Sequence, residues 1–161
     1  SKKKIKYFDP EINESYVPYV VETSIGLDRM FLAILSHSLK EEKLENGETR
    51  SVLKIPAVLA PIKAAILPLT KKDSLPEKAR EIMSSLKMDL HCQYEEKDSI
   101  GKRYRRQDAI GTPFCVTVDH ETLTKNTVTL RERDSMSQER VSIEKLHSII
   151  SKKVKTSHLL S

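Results

Sequence analysis

Two short stretches hold the residues whose types and spacing could do chemistry. The first is Glu22-Thr23-Ser24-Ile25-Gly26-Leu27-Asp28-Arg29. A carboxylate can hold an ammonium group, Ser24 adds a small donor or acceptor beside it, and Gly26 lets a flat ligand approach the backbone. Arg29 can pair with phosphate or lie against an adenine ring. Together these groups suit an amino acid lying next to ATP. A plain strand–turn–helix with Ser24 as N-cap explains the same spacing, and on spacing alone it is the simpler account. The second stretch is Gly101-Lys102-Arg103-Tyr104-Arg105-Arg106-Gln107-Asp108. On a helix, Arg103 and Arg106 share a flank, and the packed cations make a local positive field suited to phosphates and base edges. The competing account is a solvated helix face with Asp108 neutralising part of the charge.

Other chemistries are poorly supplied. The histidines His37, His91, His120, His147 and His158 are scattered and form no HxxxH or HExxH pattern, so no metal site is expected. Cys92 and Cys115 share no metal-ligand spacing and sit in apolar segments, as free buried thiols do. Ser99-Ile100-Gly101 opens a helix after a strand, where α/β sheets collect ligands, but it lacks a glycine-rich phosphate loop.

These residues need elements to hold them. Tyr16–Val21 has strand composition, with Pro18 at an entry or edge position. From Gly26 the apolar residues Leu27, Met30, Phe31, Ile34, Leu35 and Leu39 recur at helical spacing, which predicts a helix to about Glu42. Glu41–Arg50 is charged, contains Asn46-Gly47 and reads as a loop or linker. Ala64–Leu69 suits a buried strand. Ser74-Leu75-Pro76-Glu77 reads as a capping box opening a helix through Ala79, Ile82, Met83 and Leu86. Met88–Tyr94 predicts a second strand. Asp98 or Ser99 caps the next helix, with Ile100, Tyr104 and Ala109 turned inward, and Gly111-Thr112-Pro113 ends it. Phe114–Val118, Thr127–Arg133 and Arg140–Ile143 are three further strands, and Ser142 caps a last helix through Leu146, Ile149 and Ile150. The βαβαβ order demands parallel pairing with right-handed crossovers, and the short connections after it allow antiparallel neighbours. The expected fold is α/β: a mixed five-stranded sheet with flanking helices, preceded by a strand–helix remnant of another domain.

The bulk numbers agree with a binding module. The chain has 161 residues, 38% apolar and 32% charged, with a net charge of +5 that favours an anionic partner such as nucleic acid. No apolar run approaches the roughly 20 residues of a membrane span, and no signal peptide is visible. A cytoplasmic protein is expected. The chain starts with Ser, so a piece of something longer is expected too.

The first stretch resembles motif 3 of class II aminoacyl-tRNA synthetases. Its Glu, then Ser two residues on, then Gly-Leu-Asp-Arg is similar to the form in glycyl-tRNA synthetases, as is Tyr16-Val17-Pro18-Tyr19-Val20-Val21. Leu59–Ala65, Ser99–Asp108 and Gly111–Asp119 resemble that family's C-terminal anticodon-binding domain. The resemblance runs from about Tyr7 to Val154. It implies residues 1–50 as the end of a catalytic domain, residues 51–154 as an anticodon-binding domain and residues 155–161 as a tail. It implies that Glu22, Thr23, Ser24, Ile25 and Gly26 form the turn closing on glycine, that Gly26, Leu27, Asp28 and Arg29 contact ATP, and that Arg29 is the catalytic residue. Thr23 stands where many relatives have Pro. The implied reaction is glycyl-adenylate formation and transfer to tRNA(Gly), with magnesium accompanying ATP, by a homodimer when full length. Motifs 1 and 2 are absent, so this polypeptide alone is expected neither to bind ATP tightly nor to charge tRNA. Arg103, Arg105 and Arg106 are the candidate tRNA contacts, and loops near 94–99 and 119–126 are alternatives. A non-enzymatic module that binds nucleic acid or protein through the same domain is the competing expectation.

Overall fold

The structure, a computed structural model, describes residues 5–44 and 47–159, with the backbone alone at 158 and 159. Glu45, Asn46 and the His158 side chain, which figure in the reading above, lie outside the described residues. The chain divides into two compact units, residues 1–31 and 32–161.

The first unit opens with an antiparallel hairpin of β1 (Tyr7–Asp9) and β2 (Glu14–Tyr16). Tyr7 and Tyr16 face each other across it, edge to face, with ring centroids 5.9 Å apart. The strand expected over Tyr16–Val21 does not form beyond Tyr16: residues 17–26 have no regular structure, and Tyr19, Val20 and Val21 are exposed. Strand composition alone cannot hold an extended segment whose N–H and C=O groups have no neighbouring strand. Helix α1 spans Leu27–Ser38 and crosses the boundary between the units. It stops four residues short of Glu42 because the chain turns at once into a strand.

That strand begins the second unit's surprise. Glu41–Arg50 is no linker: β3 (Leu39–Lys43) and β4 (Thr49–Leu53) pair antiparallel, Glu42 opposite Arg50. The sheet follows. In chain order come β5 (Ala64–Pro68), α2 (Leu75–Leu86), β6 (Cys92–Tyr94), α3 (Ile100–Ile110), β7 (Phe114–Val118), α4 (His120–Lys125), β8 (Thr127–Glu132), β9 (Gln138–Ser142) and α5 (Ile143–Val154). The strand order is β6-β5-β7-β8-β9, with β5 parallel to β6 and β7, and the β7–β8 and β8–β9 pairs antiparallel. This is the expected mixed sheet. The short helix α4 was not foreseen, because Asp119–Asn126 reads as a turn.

Strands β5 and β7 are buried throughout, so both of their faces are covered and their sequences are continuously apolar. On one face Ile66, Val116, Val128 and Leu130 pack with Leu75, Ala79 and Ile82 of α2 and Leu146 and Ile150 of α5. On the other, Ala65, Leu67 and Cys115 meet Ile100 and Tyr104 of α3. Helix α3 covers the β5 and β7 part of that second face and reaches β8 through Asp108 and Tyr104. Ser74 does not cap α2: its φ of 58° is left-handed and its side chain makes no capping bond. A cap needs extended backbone to aim the hydroxyl at the first turn. Gly111 closes α3 at φ 84°, and a Cβ there would lie 3.1 Å from both Ile55 Cγ1 and the Leu53 carbonyl oxygen. Glycine is thus required twice, by the backbone turn and by the close approach of the β4 exit.

Candidate nucleic-acid interface

Helix α3 is built inside out. Its buried residues are Arg103, Gln107 and Asp108, while Ala109, expected inward, is exposed. Tyr104 and Ile100 are half-buried, as expected. The polar side turns in because its neighbours need it. Arg103 is 2% exposed and donates to the carbonyls of Pro68 at 2.7 Å, Glu95 at 3.2 Å and Leu69 at 3.3 Å. These carbonyls lie where β5 and β6 end, so the guanidinium ties down their free acceptors. Burial pulls its pKa down, although the proton stays on. Arg106 is half-exposed and binds Glu95, Asp98 at 2.9 Å and the Lys97 carbonyl at 2.7 Å. Glu95 and then Asp98 raise its pKa. Asp98 therefore braces the loop before α3, and the position before the helix is taken by Ser99, whose side chain makes no capping bond. Among the described residues the carboxylates near Arg105 are distant, Asp108 at 3.9 Å and Glu48 at 4.0 Å. Of the three arginines, one is sealed in, one staples a loop and one is half-buried beside distant carboxylates.

Beneath the helix lies a buried ion network. Asp108, 0% exposed, accepts from Arg131 Nη1 at 2.8 Å and Nη2 at 3.0 Å and from Arg50 Nη1 at 3.0 Å. Arg50 also donates to Glu42 at 2.8 Å and to the Arg133 carbonyl at 3.1 Å. Arg133 in turn holds the carbonyls of Gly111 and Ile55, each at 2.9 Å. The carboxylate expected to neutralise surface charge instead locks the β3–β4 hairpin, α3 and β8 together. Buried charges persist only when paired and hydrogen-bonded, as here.

The outer part of the sheet's second face is open and polar. It presents Thr127 and Thr129 of β8 beside Gln138 and Arg140 of β9, with Arg131 nearly buried at its inner edge. Between this face and α3 is a depression of about 420 Å³, walled by Lys102, Tyr104 and Arg105 and bounded by Arg131, Met136 and Gln138, with Glu48 at its edge. The Arg131 guanidinium lies 4.7 Å from the Tyr104 ring centroid, and the Tyr104 hydroxyl shares a 2.6 Å hydrogen bond with Thr117. Farther along, Arg140 forks onto Asp119, with Thr127 and Thr129 each 3.0 Å away.

The Asp119–Arg140 pair makes a pH prediction. The Arg140 bonds, helped by the Thr122 N–H and hydroxyl, hold the Asp119 pKa down at about 2. A depressed carboxylate adds stability above its unfolded pKa near 4, and loses it as pH falls through about 2. Asp119→Asn keeps an N-cap for α4 but removes the charge. We expect the variant to be less stable than the parent at pH 6 by up to about 2 kcal/mol, with the gap closing between about pH 4 and pH 2. Urea unfolding of both proteins across that range measures it, and a gap independent of pH would contradict it.

The first stretch is arranged differently. Glu22, Thr23, Ser24, Ile25 and Gly26 are exposed in the irregular segment, and Leu27, Asp28 and Arg29 form the exposed first turn of α1. Arg29 folds back, its side-chain carbons 3.7 Å from where a Cβ on Gly26 would sit. Among the described residues no three of His, Cys, Asp and Glu gather as a metal site. Burial pushes the Cys92 thiol up to about 11 and Cys115 up to about 12, which makes neither a nucleophile. Asp89 and Ser151 both approach Nε2 of His147, at 3.0 and 3.4 Å, so no relay through the two ring nitrogens exists. No helix of the described residues is long and apolar enough to cross a membrane. Tyr104, Arg131, Met136 and Gln138 escaped the sequence reading as site residues. The alternation of Thr127, Thr129 and Arg131 carried a signal: a strand with one polar face beside an otherwise apolar sheet.

Residues 63–153 match the family described as anticodon binding domain, and the chain belongs to that family. It is 52% identical over 154 residues to a glycine–tRNA ligase of Clostridium tetani and 52% identical over 155 residues to that of Clostridium acetobutylicum, each alignment covering 96% of this chain and 33% of the relative. The glycine–tRNA ligase of Chlorobaculum tepidum is 49% identical over 154 residues, with the same coverage. The chain thus spans about a third of the length of the curated relatives it matches. In fold it is similar to the RNA binding domain of threonyl-tRNA synthetase from Cryptosporidium parvum Iowa II, at TM-score 0.56 and 22% identity over 62% of this chain and 25% of that one.

Proposed function

We propose that this chain is the RNA-gripping part of a glycine–tRNA ligase and that it holds the anticodon of tRNA(Gly) on the face formed by α3, β8 and β9. The observation that carries the reading is the depression there: two cations, Lys102 and Arg105, wall it beside Tyr104, Arg131 and Gln138. Phosphate contacts position an RNA, and an open polar surface with a flat, anchored floor can take splayed bases. Arg105 carries the phosphate contact among the three arginines, Arg106 shapes the loop beside it, and Arg103 supports the strand ends.

In the full-length enzyme, Glu22, Thr23, Ser24, Ile25 and Gly26 close on glycine, and Gly26, Leu27, Asp28 and Arg29 meet ATP. Glu22 holds the substrate ammonium, and Arg29 stabilises charge shifting on the triphosphate as adenylate forms. Residues 1–50 serve this catalytic half, 51–154 the RNA half and 155–161 a tail, with the hairpin that crosses position 50 bracing the RNA half. Among the described residues no carboxylates gather as a magnesium set, and the metal would enter with ATP. A cytoplasmic homodimer in protein biosynthesis completes the proposal. A non-enzymatic module is disfavoured by the level of identity to ligases along nearly the whole chain.

Hydroxyl-radical footprinting of a tRNA(Gly) transcript with the 161-residue chain tests the reading. Protection should concentrate on the anticodon loop. Protection confined to the acceptor stem would contradict it.

A further inference from the structure

We propose that Met136 is an apolar seat in the RNA site: held at the tip of the β8–β9 hairpin, it packs against one unpaired base of the bound RNA. The inference rests on the functional reading above and deepens it by naming a residue that meets a base rather than a phosphate.

Met136 sits where its backbone is strained. Its φ is 56°, in the left-handed region. Glycine visits that region freely, and Asn and Asp tolerate it because their short polar side chains bond locally. The other non-glycine residues with left-handed φ among the described residues are Asn13, Asp73, Ser74, Asp98 and Asn126, all short and polar. Met136 alone is long and apolar. The turn imposes the conformation. The Glu132 N–H donates to the Ser137 carbonyl at 3.0 Å, which closes the loop of residues 133–136. Arg133 forks onto Asp134, each bond 2.8 Å long. The Ser135 hydroxyl lies 2.8 Å from both Glu132 Oε2 and the Ser137 hydroxyl. A turn braced this closely over-determines its one strained residue.

Glycine or asparagine would build the same turn without strain. Core packing does not account for the methionine either, since it is 38% exposed and belongs to neither hydrophobic cluster. It borders the same depression as Lys102 and Arg105. Those cations suit phosphates. A splayed base also needs an apolar surface beside its charged backbone, and a flexible, polarizable thioether fits itself to a flat ring.

Met136→Gly removes the side chain and the strain together. Its urea unfolding midpoint should equal or exceed the parent's. It should bind a tRNA(Gly) transcript about tenfold more weakly, with the salt dependence unchanged. Met136→Leu keeps the apolar volume on the strained backbone and should bind within about threefold of the parent. Affinity then falls without loss of stability, which a residue that only packs the turn cannot give. Binding by Met136→Gly within about twofold of the parent would overturn the proposal. So would an unfolding midpoint clearly below the parent's, which marks a structural anchor, or a salt slope smaller by about one, which marks a lost phosphate contact. Equal losses in the Gly and Leu variants would overturn it too, because apolar bulk would not be what the RNA meets. A parent chain that does not bind the transcript would overturn the functional reading itself, and the proposal with it.

Discussion

Replacing Asp108 with alanine is expected to cost about 3–5 kcal/mol of folding stability. The reason is the arithmetic of buried charge. Arg50 and Arg131 both lean on this one carboxylate, and both are almost fully buried. Removing it leaves two guanidinium groups facing each other without their shared counter-ion, in a place water does not reach freely. The loss takes a large share of the 5–15 kcal/mol that small domains typically have. An exposed pair offers the contrast. Lys78 and Glu81 sit 3.0 Å apart on the surface of α2, and exposed pairs are worth about 0–1 kcal/mol. Urea unfolding followed by circular dichroism compares Asp108→Ala with Glu81→Ala. A loss below about 1 kcal/mol for Asp108→Ala would show that the network is not sealed as described.

The second large effect is on binding. The double substitution Lys102→Ala with Arg105→Ala should weaken tRNA(Gly) affinity by roughly ten- to a hundredfold at low salt, and should lower the salt slope by about 1.5 to 2. Both side chains wall the depression, and among the described residues the ion pairs of Arg105 are no closer than 3.9 Å. Its charge is therefore available to a phosphate without first breaking a close pair. Arg106 is the comparison: it must release Glu95 and Asp98 before it can turn to RNA, so Arg106→Ala should cost less. The double variant removes only surface side chains and should keep its stability within about 0.5 kcal/mol. Filter binding across a salt series reads both quantities, and a slope equal to the parent's would remove these residues from the interface.

What the sequence made legible follows from where each residue's partners lie. The uninterrupted apolar runs of β5 and β7 announce strands covered on both faces, and Gly111-Thr112-Pro113 announces the end of α3, because those signals are local. The hairpin β3–β4 was hidden because its strands are short, charged and paired only with each other. What makes Arg50 a core residue is a carboxylate 58 positions away. The same blindness affected α3. Spacing treats Arg103, Arg105 and Arg106 alike, yet strand-end carbonyls claim the first, and Glu95 and Asp98 claim the third. Helical periodicity predicted an apolar inward face, whereas the helix buries polar groups that answer to charges on β4 and β8. Tyr16–Val21 shows the opposite failure: the composition is right for a strand, but a strand needs neighbours. The reading of Glu22–Arg29 as a site rests on its resemblance to a known motif, since these residues are exposed on an irregular segment and the first turn of α1.

The central claim is that the face between α3 and β8–β9 holds an anticodon. Its most direct test is the dissociation constant of the 161-residue chain for a tRNA(Gly) transcript against the same transcript with its anticodon triplet replaced, at one salt concentration. The account predicts that the replacement weakens binding by about tenfold or more, since losing even one well-read base costs about 1–3 kcal/mol. Equal affinity for the two transcripts would contradict it.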